Sequence, residues 1–244
     1  MNYLKKAVSQ ILPQTFKVQL RELLNKLKPD ESIEESKKKW RQLASKNANY
    51  IVLTNFGENI SEEQFSAAGE KDYNLLIKDD LFFRELDPLS TRRILEIGCG
   101  TGRMTGFIAE DFHEAYGVDI AEEMVEQAKK RLADKTNIHL QATDGMHLPF
   151  PGDFFDAVFS FIVFQHMPSK KVVRKNLEEI VRVLKKCGLA KIQLRGRPTV
   201  KGEWFYGPSF TISQVKKTIE GLPIQLLKME GQGSRYFWIW LRKT

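Results

Sequence analysis

Apolar positions follow two different rhythms along the 244 residues. Between residues 3 and 28 they recur at helical spacing: Leu4, Ala7, Val8, Ile11 and Leu12, then Phe16, Leu20, Leu23, Leu24 and Leu27 beyond Pro13. Spacings of three and four place such residues on one helical face, and proline breaks the run, so two amphipathic helices are predicted. A further helix is predicted over 36–46, ahead of the apolar segment 50–57, and another over 61–78. The latter opens with Ser61-Glu62-Glu63-Gln64, which has the spacing of a capping box. From residue 92 short apolar runs alternate with amphipathic stretches. Strands are predicted at 93–97, 115–118, 138–141, 155–161 and 189–194, with helices near 103–111, 121–133 and 169–185. That alternation is the βαβ pattern of a parallel, doubly wound sheet, and near-continuous apolar runs suit strands covered on both faces. After Pro208 come a helix near 211–220 and strands at 224–229 and 235–241 around Gly231-Gln232-Gly233, which predict an antiparallel hairpin closing one sheet edge. The expected fold is therefore α/β, a seven-stranded, mostly parallel sheet at 91–244, with residues 1–90 as a helical N-terminal extension or cap.

Composition narrows the class. With 42% hydrophobic and 28% charged residues, two cysteines and no apolar run of bilayer length, the chain is expected to be globular and soluble, without a membrane span. Cys99 and Cys187 are too few for a disulfide framework, and the start Met1-Asn2-Tyr3-Leu4-Lys5-Lys6 lacks a signal-peptide core, so a cytoplasmic location is expected. The formal charge of +7 is uneven: 6 basic against 2 acidic residues over 1–30, 20 against 26 over 31–184, and 12 against 3 over 185–244. Such a distribution attracts anions, but the basic residues are scattered rather than bunched, the pattern of a solvated surface. Nucleic acid is not the expected partner.

Chemistry concentrates at Leu95-Glu96-Ile97-Gly98-Cys99-Gly100-Thr101-Gly102-Arg103, where the first strand meets its helix. Glycines permit a sharp turn and close ligand approach, and a helix N-terminus offers N–H donors. The dinucleotide fingerprint Gly-x-Gly-x-x-Gly fails, because Arg103 and Thr105 occupy the sixth positions counted from Gly98 and Gly100, and no phosphate-binding Gly-x-x-x-x-Gly-Lys loop is present. The remaining pattern, Glu-x-Gly-x-Gly-x-Gly, resembles the class I S-adenosylmethionine (SAM)-dependent methyltransferases. The resemblance spans roughly residues 92–194. It includes Val118-Asp119-Ile120 at the end of the second strand, Thr143-Asp144-Gly145-Met146 after the third, and Leu148-Pro149-Phe150-Pro151-Gly152-Asp153-Phe154-Phe155-Asp156-Ala157-Val158 leading into the fourth. Its closest flavour is the small-molecule branch that includes quinone-biosynthesis methyltransferases.

That resemblance implies a Rossmann-like methyltransferase fold with SAM as cofactor and S-adenosylhomocysteine as product. It assigns Glu96, Gly98, Gly100 and Gly102 to the methionine end, Asp119 to the ribose hydroxyls, and Ile120, Asp144, Gly145 and Met146 to the adenine, with Phe161 near cofactor and substrate. The acceptor is expected to be a small molecule of aromatic or anionic character, methylated on oxygen, nitrogen or carbon. For a hydroxyl acceptor the candidate base is His166, in Phe164-Gln165-His166-Met167-Pro168, with the alternative that it orients its loop or caps the next helix. His147 and Asp153 are lesser candidates. Aromatic residues Trp40, Tyr50, Phe56, Phe65, Trp204, Phe205 and Tyr206 could line an acceptor pocket or be core. No Asp/Asn-Pro-Pro-Tyr/Phe follows the fourth strand, neither cysteine follows a proline, and no Cys or His pair has metal-ligand spacing, so base-modifying and metal chemistries are not expected. Two further readings stay open: an RNA or polyanion methyltransferase, and a non-catalytic cofactor-binding partner subunit.

Overall fold

The computed structural model describes residues 30–52, 60–199 and 207–244, together with Leu20 and Leu23. The helices predicted over 3–28, residues 53–57 of the apolar segment, and Trp204-Phe205-Tyr206 lie outside the described residues.

Strands β1 (Arg93–Ile97), β2 (Glu114–Asp119), β3 (Ile138–Ala142), β4 (Phe155–Ser160), β5 (Leu184–Leu194), β6 (Ile224–Glu230) and β7 (Phe237–Lys243) form one sheet in the order β3-β2-β1-β4-β5-β7-β6. Neighbours from β3 through β5 are parallel, and β7 runs antiparallel to both β5 and β6. The hairpin predicted from the glycine turn therefore closes the sheet edge as expected. Strand order reverses at β1, between β2 and β4, and ligand crevices of such sheets open at that switch point.

Side chains alternate across the sheet and divide the core. Leu95, Ile97, Val118, Val158 and Ile192 face α5 (Lys170–Val183) and α6 (Ile212–Ile219), packing on Val173, Leu177, Ile180 and Val215. Ile94, Ala115, Ala157, Phe159 and Leu189 face the other way, onto Met104, Ile108 and Phe112 around α3 (Thr105–Asp111). The second face also receives Tyr73, Ile77 and Phe83. Tyr73 ends α2 (Glu62–Tyr73), whose capping box forms as predicted: Gln64 N–H donates to the Ser61 hydroxyl and Ser61 N–H to Gln64 Oε1. The predicted helix over 61–78 is not uniformly α-helical, since its last turn, Asn74–Lys78, widens to a π-helix. Residues 61–91 thus share a core with the sheet. The helix α1 (Ile33–Val52) instead packs Trp40, Ala44 and Ala48 on Ala121 and on Met124 of α4 (Glu122–Arg131). Among the described residues, no helix is long and apolar enough to cross a membrane.

One buried ion pair ties the N-terminal segment to the far strands. Asp80 Oδ1 accepts the N–H groups of Phe82 and Phe83, and Oδ2 takes Lys191 Nζ of β5 at 2.8 Å and Trp240 Nε1 of β7 at 2.8 Å. Lys191 is 3% exposed and lies between the rings of Trp238 and Trp240, at 5.0 and 4.9 Å. Burial pulls its proton affinity down and Asp80 pulls it back up. Removing one member of such a pair leaves the other charge buried. Asp80→Ala is expected to destabilise the fold by about 3 kcal/mol in urea titrations, and Asp80→Ala combined with Lys191→Met by clearly less.

Candidate functional site

A cavity of about 200 Å³ opens at the carboxyl ends of β1, β2 and β4. Its floor starts at Glu96 and the turn after β1. Gly98 and Cys99 donate N–H to the Val118 carbonyl at 2.7 and 3.0 Å, which holds the turn against the end of β2. Gly98 has φ +76°, and a Cβ there would fall 2.0 Å from Val163 Cγ2, so the glycine lets the ends of β1 and β4 approach. Arg131 fastens the turn from outside: it donates to the Thr101 carbonyl and hydroxyl at 2.9 and 2.8 Å and to Glu62 and Asn49, which lie on α2 and α1. Arg103 donates to Asp72 at 2.7 Å and to the Ala68 carbonyl at 2.9 Å, both on α2.

Two carboxylates face this cavity. Glu96, 6% exposed, accepts the Thr105 hydroxyl at 2.6 Å, and burial pushes its pKa up to about 7 against the moderating charge of Arg103. Asp119 accepts the N–H of Gly100 at 3.0 Å on Oδ2 and of Ala121 at 2.9 Å on Oδ1, while burial holds its pKa above the ordinary aspartate value. A carboxylate has about four acceptor sites, so two hydrogen bonds leave capacity directed at a ligand. Thr143, Gly145 and Ile120 close this end, with the Gly145 carbonyl fixed by Asn176 Nδ2 at 2.9 Å.

The roof is α1. Ile33, Ser36 and Trp40, at helical spacing, line the cavity, and Arg41 pairs with Glu123 at 2.8 Å beside it. Beyond β4, Ile162 adopts φ +61°, unusual for a β-branched residue and held by its N–H donating to Gln193 Oε1 at 2.9 Å. That bond starts an amide chain. With its oxygen so engaged, Gln193 Nε2 donates to the Arg235 carbonyl at 3.0 Å and to Gln165 Oε1 at 3.3 Å, which turns Gln165 Nε2 toward His166 Nε2 at 3.0 Å. An amide nitrogen donates only, so His166 Nε2 accepts and the neutral ring carries its proton on Nδ1. Trp40 meets this ring edge-on, with centroids 5.4 Å apart. The last wall is Arg235 and Tyr236, from the loop between β6 and β7.

Comparison with known proteins fits this geometry. Residues 94–188 match the methyltransferase domain family. Over that stretch the chain is similar to the methyltransferase domain. It is 33% identical over 133 residues to the uncharacterized methyltransferase YcgJ of Bacillus subtilis, covering 54% of this chain and 49% of that protein. It is 32% identical over 105 residues to a demethylmenaquinone methyltransferase of Clavibacter sepedonicus, covering 43% and 42%. The chain thus spans about half the length of these curated relatives. Among solved structures it is similar to magnesium protoporphyrin IX methyltransferase from Synechocystis PCC 6803 with bound SAM, with TM-score 0.62 and 15% identity over 86% of this chain and 97% of that one. At that identity the likeness establishes the fold alone, a Rossmann-like α/β fold.

Of the residues expected in the site, Glu96, Gly98, Gly100, Asp119, Ile120, Gly145, Phe161 and His166 line the cavity, whereas Gly102, Asp144 and Met146 do not. Gly102 serves packing: a Cβ on it would fall 2.6 Å from Leu132 Cδ1, just beyond α4. Asp144 spends its carboxylate on its own loop, accepting Met146 and His147 N–H at 2.7 Å each and pairing with His147 Nδ1 at 2.7 Å, so it does not reach inward as expected. His147 lines the cavity in its place. Asp153 pairs with Lys243 at 2.8 Å and lies outside the cavity lining. Phe65 is core, with Arg131 over its ring at 4.5 Å, and Trp40 is a wall of the cavity. Arg103, Ile33, Ser36, Arg235 and Tyr236 were not assigned to the site from sequence; the helical spacing of Ile33, Ser36 and Trp40 is the one signal that could have found any of them.

Glu96 generates a pH prediction. Its folded pKa, about 7, exceeds the ordinary value of 4.5, so the folded state binds the proton more tightly than the unfolded chain. The associated stability is fully present below about pH 4.5 and is lost as pH rises through 7. Glu96→Gln is expected to stabilise the domain at pH 8 by on the order of 2 kcal/mol and to change little at pH 4.5, as measured by urea titrations at the two pH values.

Proposed function

We propose that this chain is a SAM-dependent methyltransferase acting on a small-molecule acceptor of aromatic or anionic character, at an oxygen, nitrogen or carbon atom. The observation that carries this reading is the pair Glu96, buried, and Asp119, half-buried, two carboxylates that line one cavity from adjacent strand ends. The donor set fits SAM. Asp119, with acceptor capacity beyond its two backbone bonds, suits a pair of vicinal hydroxyls, and Glu96 suits the ammonium of an amino-acid group, whose charge would offset the burial that now raises its pKa. The apolar and backbone surface of Ile120, Thr143 and Gly145 suits a flat ring.

SAM, when bound, supplies a methyl group already activated on a sulfonium, so displacement in line is limited mainly by alignment. The chain's residues provide that alignment. The backbone bonds to Asp119 and the Thr105 bond to Glu96 set both carboxylates before any ligand arrives, and α1 covers the cavity against water. His166, with Nε2 already accepting from Gln165, serves to position the acceptor side; accepting a substrate proton at Nε2 would require the amide chain to reverse.

The uneven charge seen in the sequence does not favour a polyanion acceptor. Lys185, Lys191, Lys228, Arg242 and Lys243 each pair with a carboxylate, Asp156, Asp80, Glu230, Glu85 and Asp153 respectively. Five of the twelve C-terminal basic residues are thus neutralised by carboxylates, four of which lie in the middle segment.

Calorimetric titration with SAM and with S-adenosylhomocysteine tests the proposal. Micromolar binding is expected, weakened by about 1 to 3 kcal/mol in Asp119→Ala, because ligand donors lose their acceptor. Thermal melting of the variant separates lost binding from lost folding. Equal affinity in a folded variant would place the cofactor elsewhere.

A further inference from the structure

The cavity has a positive side opposite its carboxylates. Arg235 lines the cavity, yet its buried Nε donates to no partner, and its guanidinium carbon lies 5.6 Å from the ring of Tyr236. Among the described residues, no carboxylate lies within ion-pairing distance of it. Arg195, at the end of β5 and 3% exposed, has its pKa lowered to about 10, first by burial and then by the charges of Arg235 and Arg197. Like charges so placed raise one another's energy, and an oxyanion held by Arg235 in the cavity lowers it.

The position of the loop is not accidental to its neighbours. Gly196 N–H donates to the Ser234 carbonyl at 2.9 Å, and the Arg235 carbonyl takes Gln193 Nε2 at 3.0 Å. Both bonds use the backbone and leave the Arg235 side chain available to a ligand. The cavity it lines also has Phe161, Val163, Met167 and Tyr236 in its lining, with the rings of Phe161 and Tyr236 6.0 Å apart. A planar guanidinium beside aromatic surface recognises a flat, oxyanion-bearing molecule, because the fork matches two oxygens of a carboxylate or phosphate.

We infer that Arg235 is the specificity determinant of the acceptor, binding a carboxylate or phosphate group on an apolar or aromatic small molecule. This rests on the methyltransferase reading, since it assigns the cavity's other side to the cofactor. The acceptor is then the product of a reaction class that leaves an acidic group on such a molecule, and methyl transfer occurs on that group or on an atom held in place by it.

The test titrates the chain, saturated with S-adenosylhomocysteine, with benzoate, phenyl phosphate and the neutral isostere benzamide, followed by calorimetry or ligand-observed magnetic resonance. At least one of the two anions is expected to bind about tenfold more tightly than benzamide, and preference between them separates a carboxylate from a phosphate acceptor. In Arg235→Gln that preference is expected to vanish while affinity for S-adenosylhomocysteine stays unchanged, which also shows that the variant is folded. Benzamide binding as tightly as both anions, no binding by either anion, or an anion preference that survives Arg235→Gln would overturn the inference and leave the methyltransferase reading standing. Failure of the unsubstituted chain to bind S-adenosylhomocysteine would overturn both.

Discussion

Holding two carboxylates at the ends of β1 and β2, Glu96 buried and Asp119 half-buried, is the constraint around which the rest is arranged. Desolvation of Glu96 and Asp119 is the largest influence on each, and a domain tolerates it when every compensating donor is placed by the fold itself. For Asp119 those donors are backbone N–H groups, available because the turn after β1 is pinned to the Val118 carbonyl and cannot drift. For Glu96 the donor is the first residue of α3. The turn in turn depends on Arg131 and Arg103, which reach it from α4 and from its own end and tie it to α2. Packing of the N-terminal helices and electrostatics of the site are thus one structure, since loosening α2 would loosen the donors that keep the acids ionisable.

How much of this was legible in the sequence follows from which forces act locally. Strands β1 to β4 were recovered within two residues at either end, because strands covered on both faces leave continuous apolar runs and the turn after β1 needs glycine at Gly98. The start of β5 was missed by five residues: Leu184-Lys185-Lys186-Cys187-Gly188 is polar, and Cys187 sits at φ +64° where the pairing with β4 shifts register. Helix α1 begins at Ile33 rather than near residue 36, because Ser32 and Glu35 cap it reciprocally, Ser32 N–H to Glu35 Oε2 at 2.7 Å and Glu35 N–H to Ser32 Oγ at 3.1 Å. That Ser-x-x-Glu spacing was in plain view, but no apolar period preceded it to mark a helix.

The site was legible where chemistry and turn geometry coincide and illegible where tertiary packing chose the side chain. Glu96 and Asp119 lie at strand ends, so their motif position is also their position in space. Asp144 shows the limit of that logic, because a short carboxylate two and three residues before N–H groups closes on its own loop whenever no ligand donor competes more strongly. His166 shows another limit. Its tautomer is set by an amide chain that begins at the backbone of Ile162 and passes through Gln193 on β5, residues that no sequence pattern connects to it.

A two-residue difference at β7 has the largest functional consequence. Read as the first strand residues, Arg235 and Tyr236 would alternate between sheet faces; the strand starts at Phe237, and both belong to the loop that walls the cavity. The bend is enforced by the Ser234 hydroxyl, which donates to the Tyr236 carbonyl at 2.8 Å and accepts Tyr236 N–H at 3.0 Å, with Ser234 N–H on the Gly231 carbonyl at 3.1 Å. The same cavity consequently meets acids on the β1 and β2 side and arginine on the β5 and β7 side. Burial raises the energy of Glu96 and Asp119 on one side, and burial together with the charges of Arg235 and Arg197 raises that of Arg195 on the other. Opposite charges delivered to the two sides would relieve both, so a ligand set with a cation at one end and an anion at the other is the state that this arrangement of buried charge stabilises most.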